Sequence, residues 1–179
     1  MEASCQQCAV SDLPAFPPND IRGFLAFCAG EWLALRSTFL PGEPEPASGD
    51  VGGEGDGDEW HSSERGELKI AYQEPSGAVE PGSLLITPPG GAVGRRVAFS
   101  ADGWFDGGDG EVGQWQLWPD GSLELALERE GVEVRERIWF TKPNLRLRST
   151  IERGSDGRPA RASFSSEIRR VSRPAVPAA

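Results

Sequence analysis

From Gly113 to Arg170 the chain is written almost entirely in short runs of period two, each closed by a turn. Gly113 to Trp118 leads into Pro119-Asp120-Gly121, a strong hairpin signal. Leu123, Leu125 and Leu127 then alternate with Glu124, Ala126 and Glu128. Arg129-Glu130-Gly131 turns the chain into a run from Val132 to Phe140, and Pro143-Asn144 breaks it before Leu145 to Glu152. A Gly154-Ser155-Asp156-Gly157 turn precedes the last run, Ala160 to Arg170. Two-residue periodicity puts alternate side chains on opposite faces of a strand. Connections this short join antiparallel neighbours and leave no room for crossover helices.

The first half continues the pattern more loosely. Asn19 or Asp20 can cap a helix over Ile21 to Cys28, where Ile21, Phe24, Leu25 and Cys28 fall at helical spacing, and Gly30 ends it. Strand-like runs follow at Trp32 to Leu40, Glu67 to Gln73, Ser83 to Thr87 and Arg95 to Ser100. Many short strands after one helix read as an all-β fold, an antiparallel sandwich or barrel. The expected organisation is an irregular N-terminal tail over 1–18, a single domain over 19–170 and a disordered Pro- and Ala-rich tail over 171–179.

Charge excludes several functions. Eighteen basic against 28 acidic residues leave a formal net charge of −10, which repels nucleic acid and an anionic membrane surface. Seven of the acids lie between Gly42 and Glu59 with no base among them, so much of this charge describes one solvated loop. No apolar run is long enough to span a bilayer, and no signal-peptide pattern opens the chain. Three cysteines, Cys5, Cys8 and Cys28, are too few to staple the fold, which fits a reducing compartment.

The chemistry-bearing segment is Glu136-Arg137-Ile138-Trp139-Phe140, then Pro143 to Thr150. On a strand, Arg146, Arg148 and Thr150 share one face, and Leu145, Leu147 and Ile151 share the other. In the next strand Ser163, Ser165, Glu167 and Arg169 lie opposite Ala162, Phe164 and Ile168. Two assignments follow. Either the leucines face the core and the arginines face water, or the arginines line a cavity for an anionic, largely apolar guest. Spacing alone does not choose.

The stretch "ERIWFTKPNLRLRST", followed after a short turn by "ASFSSEIRR", resembles the C-terminal signature of the S/U-type phycobiliprotein (bilin) lyases, the CpcS/CpeS family. "AGEWLALRST", right after the helix, is similar to that family's first-strand motif. The resemblance implies a ten-stranded antiparallel barrel of lipocalin or fatty-acid-binding type with a short N-terminal helix. It implies a chromophore lyase that binds a phycobilin and joins it by a thioether to a cysteine of a phycobiliprotein subunit. The alternative within the same resemblance is a non-catalytic bilin carrier, or the partner subunit of a heterodimeric lyase. By matching motif positions, Arg146 and Arg148 would bind the bilin propionates, with Thr150 beside them. Glu136 and Glu167 would meet the pocket's polar or pyrrole N–H groups, and one or the other would supply the catalytic proton; the alternative is that both only pair with Arg146 and Arg148 to satisfy buried charge. Arg36 and Trp32 would line the barrel near the first strand.

The phycobilin, phycocyanobilin or phycoerythrobilin, is then substrate, and no tightly bound cofactor or metal is expected. The expected partners are a phycobiliprotein apo-subunit and a second lyase subunit, identical or related, with no nucleic acid or membrane. The implied location is the cytoplasm of a cyanobacterium, or the plastid stroma of an alga. The family's "W-x-G-x-x-x-W" strand corresponds here to "SERGELKIAY", with Gly66 kept, Glu64 in the first Trp place and Ile70 or Tyr72 near the second.

Other motifs carry less. Cys5-Gln6-Gln7-Cys8 has metal spacing but no second pair, and the single His61 has no triad partners. Asp102, Asp106, Asp109 and Glu111 lack the ligand order of an EF-hand and read as turns.

Overall fold

The computed structural model describes residues 16–41, 61–77, 79–90 and 93–171. Within them one helix, α1 (Ile21–Cys28), precedes ten strands that close into a barrel. The acidic stretch, the Cys5/Cys8 pair and most of both tails lie outside the described residues.

Helix α1 starts where its cap residue dictates. The Asp20 carboxylate accepts from the backbone N–H of Gly23 at 2.8 Å, satisfying one of the orphan donors of the first turn. Phe24, Leu25, Phe27 and Cys28 are all buried, so α1 plugs one end of the barrel. Phe140 is the hub of that plug. Its ring lies 5.3 Å from Phe24, 4.8 Å from Phe27 and 6.1 Å from Trp32, at tilted or edge-on angles favoured by aromatic quadrupoles.

The strands are β1 (Gly30–Phe39), β2 (His61–Gln73), β3 (Gly82–Thr87), β4 (Arg95–Phe99) and β5 (Trp104–Asp106). The second half adds β6 (Val112–Leu117), β7 (Leu123–Arg129), β8 (Val132–Lys142), β9 (Leu145–Arg153) and β10 (Pro159–Arg169). Every strand pairs antiparallel with its sequence neighbours, and β1 pairs with β10 from Trp32↔Arg169 to Phe39↔Ala162 to close the ring. Closure leaves no sheet edge to protect.

Helix α1 spans the expected residues. Two differences concern strands. β2 begins at His61, six residues ahead of the apolar alternation, because its polar start is recruited by backbone pairing with β1. β5 has only three residues between glycine turns, too short to show a period. Its neighbour β6 accommodates it through Gly113. A Cβ there would stand 2.6 Å from the Phe105 ring and 2.4 Å from the Ala126 carbonyl oxygen.

Candidate functional site

The arginines of β9 face inward. Arg146, Arg148 and Thr150 line the barrel interior, while Leu33, Leu35, Phe164 and Ile168 stand half-exposed on the outside. Charge pairing across neighbouring strands makes this phase stable. Register places Glu167 of β10 opposite Arg146, and Glu136 of β8 opposite Thr150. Both inward guanidiniums of β9 therefore meet a carboxylate, Arg146 that of Glu167 and Arg148 those of Glu136 and Glu167, as buried charge requires.

The deepest pair is Arg146 with Glu167, whose side chains are 1% and 2% exposed. Arg146 Nε donates to Glu167 Oε2 at 2.5 Å, and the guanidinium lies 4.5 Å from the Trp32 ring centroid. Trp32 carries Arg169 at 4.4 Å as well, and its indole N–H donates to the Cys28 carbonyl at 2.9 Å. Arg169 in turn donates to the Phe27 and Ala29 carbonyls, tying β10 to the end of α1. Trp32, Glu167 and Arg169 form a buried layer just under the cavity surface.

One layer out, Arg148 is 16% exposed and Glu136 21%. Arg148 Nη1 donates to Glu136 Oε1 at 2.8 Å, and Nε lies 3.2 Å from Glu167 Oε1. Thr150 Oγ1 donates to Glu136 Oε2 at 3.4 Å. From β1, Arg36 Nε donates to Ser165 Oγ at 3.2 Å, and its Nη1 stands 4.0 Å from the exposed Glu64. All seven residues expected at the site thus fall on β1, β8, β9 and β10, on one side of the barrel.

Burial pushes Glu167 towards its neutral form, but Arg148 and Arg146 together outweigh burial and hold its carboxyl below the ordinary range. Burial likewise opposes the charge on Arg148, and Glu136 and Glu167 reverse it, holding the guanidinium protonated. Cys28, at the plugged end, is pushed up by burial.

The opposite wall is apolar. Ile70, Leu84, Val97, Phe99, Phe105 and Leu125 face the cationic side across a cavity of about 340 Å³. That size is within the range of small-molecule sites. A cavity with one wall of paired arginines and one of hydrocarbon suits an elongated apolar ligand bearing anionic groups along one edge.

Ser163, placed on the Glu167 face by its spacing, lines the cavity, whereas several other lining residues were not singled out by sequence. Glu152 and Arg161 continue the inward phase of β9 and β10, so the same alternation marks them. Arg95, Glu111 and Arg129 at the open rim sit at strand ends, where no period is visible. Glu111, one of the acids read as a turn residue, is bridged by Arg95 at 2.7 Å and Arg129 at 3.1 Å.

The chain is similar to proteins already known. A family model described as CpeS-like protein matches residues 109–170. The chain is 43% identical over 159 residues to "Chromophore lyase CpcS/CpeS 1" of Paulinella chromatophora, covering 88% of this chain and 92% of that protein. This chain belongs to the CpcS/CpeS family. Over 62 residues it is also 48% identical to "Chromophore lyase CpcS/CpeS 2" of Synechococcus sp. (strain JA-3-3Ab), covering 34% of this chain and 32% of that protein. The barrel superposes on the S-type phycobiliprotein lyase CPES from Guillardia theta with a TM-score of 0.56 at 18% identity. That match covers 86% of this chain and 94% of the other, and it establishes the shared fold. The Arg- and Glu-bearing strands β8, β9 and β10 lie within the span of the CpcS/CpeS family model.

Proposed function

We propose that this CpcS/CpeS member holds a phycobilin in the barrel and attaches it to a cysteine of a phycobiliprotein subunit. The observation that carries the reading is the two-sided cavity, with guanidiniums on β1 and β9 and hydrocarbon on β3, β4 and β7. A bilin has the same division, with two propionates on one edge of an otherwise apolar tetrapyrrole.

Arg148 and Arg36 retain exposure toward the cavity and are the residues that receive propionate. A guanidinium gives a carboxylate two parallel donors, and each charge-assisted hydrogen bond is worth about 1.5–3 kcal/mol. Glu136 faces the tetrapyrrole and accepts from pyrrole N–H groups, with Thr150 fixing its second oxygen. Glu167, sealed and ionised, acts from behind as a positioning residue for Arg146 and Arg148. Trp32 supports Arg146 in the same way.

The acceptor supplies the nucleophile. Its thiol adds across the A-ring vinyl or ethylidene double bond, so one S–C bond forms, the thiol proton ends on the bilin, and nothing leaves. The barrel contributes orientation and a carboxylate that stabilises the protonated, more electrophilic tetrapyrrole. Cys28 is buried at the plugged end, away from the rim where an acceptor can approach.

A second reading keeps binding without transfer: a carrier, or one subunit of a lyase that pairs with an identical or related chain. Glu64 favours it, since it stands exposed beside Arg36 where the family's "W-x-G-x-x-x-W" strand places an aromatic ring. Either way the work belongs where phycobiliprotein is assembled, the cytoplasm of a cyanobacterium or the stroma of an alga. No helix among the described residues is long and apolar enough to cross a membrane.

The test is purified protein mixed with phycocyanobilin or phycoerythrobilin, then with an apo-subunit. A red-shifted, sharpened band followed by a denaturation-resistant coloured acceptor supports the lyase. A band without transfer supports the second reading, and no band with either bilin overturns both.

A further inference from the structure

On the apolar half of the cavity wall, β2 to β7, the lining carries charge at one place, the rim. There Arg95 opens β4 and Arg129 closes β7, two strands kept apart by β5 and β6. Glu111 lies between them, one oxygen to each: Oε2 accepts from Arg95 Nη1 at 2.7 Å and Oε1 from Arg129 Nη1 at 3.1 Å. The Glu111 loop is built to present that carboxylate. Gly107 N donates to the Glu111 carbonyl at 2.7 Å, Glu111 N donates to the Gly108 carbonyl at 2.9 Å, and Gly108 N donates to Asp106 at 2.8 Å.

We propose that Arg95 and Arg129 form a loading subsite for the carboxylates of the tetrapyrrole, in which Glu111 is an internal stand-in that the substrate carboxylate displaces. This rests on the bilin-binding reading above. Three features support it. Two guanidiniums converging on one carboxylate already display the geometry of an anion site, and with one acid among them the set retains a net positive charge. Both arginines are about half-exposed although Glu111 is 19% exposed, so the guanidinium side of each pair is open to solvent and to an exchanging anion. With much of the chain's negative charge in the stretch from Gly42 to Glu59, local cations at the rim are what a dianionic ligand meets where it enters the barrel.

Stopped-flow uptake of phycocyanobilin as the free diacid and as its dimethyl ester separates this subsite from general effects. Glu111→Gln is expected to speed diacid uptake by about threefold, and Arg95→Gln with Arg129→Gln to slow it by about fivefold or more, because charges at a rim act on association rates. Ester uptake stays level in all three proteins. Glu31→Gln, the same charge change at the plugged end beside Lys69, leaves diacid uptake as in the wild type. Equal effects on diacid and ester, no effect on either, or acceleration by Glu31→Gln would each overturn the subsite. A wild-type protein that develops no bilin band overturns the bilin reading and the subsite with it. A normal wild-type band with indifferent variants overturns the subsite alone.

Discussion

Glu167 of β10 and Arg146 of β9 face each other as a sealed ion pair, with neither side chain more than 2% exposed. Two desolvated charges of this kind add little net stability over a well-packed apolar pair, yet losing Glu167 strands Arg146, and losing Arg146 leaves Glu167 sealed with Arg148 alone. Arg146→Ala or Glu167→Ala should therefore each cost about 3–5 kcal/mol in urea unfolding. The double change to Arg146→Met with Glu167→Leu should cost less than either single one. A double variant as unstable as the sum of the singles would show that the pair contributes more than mutual neutralisation.

The same carboxylate sets an acid limit. Its folded-state pKa is depressed below the ordinary value of 4.5, so its contribution is complete above that value. It is lost as pH falls through the lower folded-state value, because the unfolded chain then binds the proton first. Unfolding free energy should thus decline below about pH 4.5, and Glu167→Gln should flatten that part of the profile while lowering stability at neutral pH. Parallel profiles for the two proteins would place the acid sensitivity elsewhere.

Much of this is legible in the sequence. The alternations at Leu123 to Glu128, Arg146 to Thr150 and Ser163 to Arg169 give β7, β9 and β10 with side chains sharing faces as the structure has them. The Asp20 cap and the spacing of Phe24, Leu25 and Cys28 give the helix. The direction of those faces was not legible from spacing, because an alternating strand reads equally well in either phase; the family resemblance alone put the arginines inside. The choice is made by partners remote in sequence: Arg36 reaches Ser165 across 129 residues, and Arg146 reaches Glu167 across 21. The rim trio was illegible for a different reason. Arg95, Glu111 and Arg129 converge only because the ring closes and a three-residue strand, β5, brings the Glu111 loop to its place.

That choice of phase is directly measurable. Leu35 and Ile168 are 46% and 57% exposed on the outer surface, whereas Leu123 is buried in the core. Ile168→Ser and Leu35→Ser should each change stability by no more than about 0.5 kcal/mol, as surface changes do. Leu123→Ala should cost about 2–5 kcal/mol by leaving a cavity. The opposite ranking would put Leu35 of β1 and Ile168 of β10 inside and remove the arginine-lined wall.

On the reading proposed above, Arg148 and Glu136 divide the work of holding the bilin, so their variants should fail differently. Arg148 is cavity-facing and kept charged by Glu136 and Glu167, so Arg148→Ala should weaken bilin binding by about tenfold or more, the value of one charge-assisted hydrogen bond. Arg148→Lys keeps the charge but loses the planar fork, and should recover only part of the affinity. Glu136→Gln preserves the hydrogen bond from Thr150 and the shape of the wall, so bilin should still bind. What it removes is the negative charge beside the pyrroles, so the bound band should lose its red shift and transfer to an acceptor thiol should slow. Titrations followed by absorption, with transfer rates under saturating bilin, separate the two roles. If Glu136→Gln weakened binding while leaving both the band position and the saturated transfer rate intact, Glu136 would be a support for Arg148 rather than a partner of the tetrapyrrole.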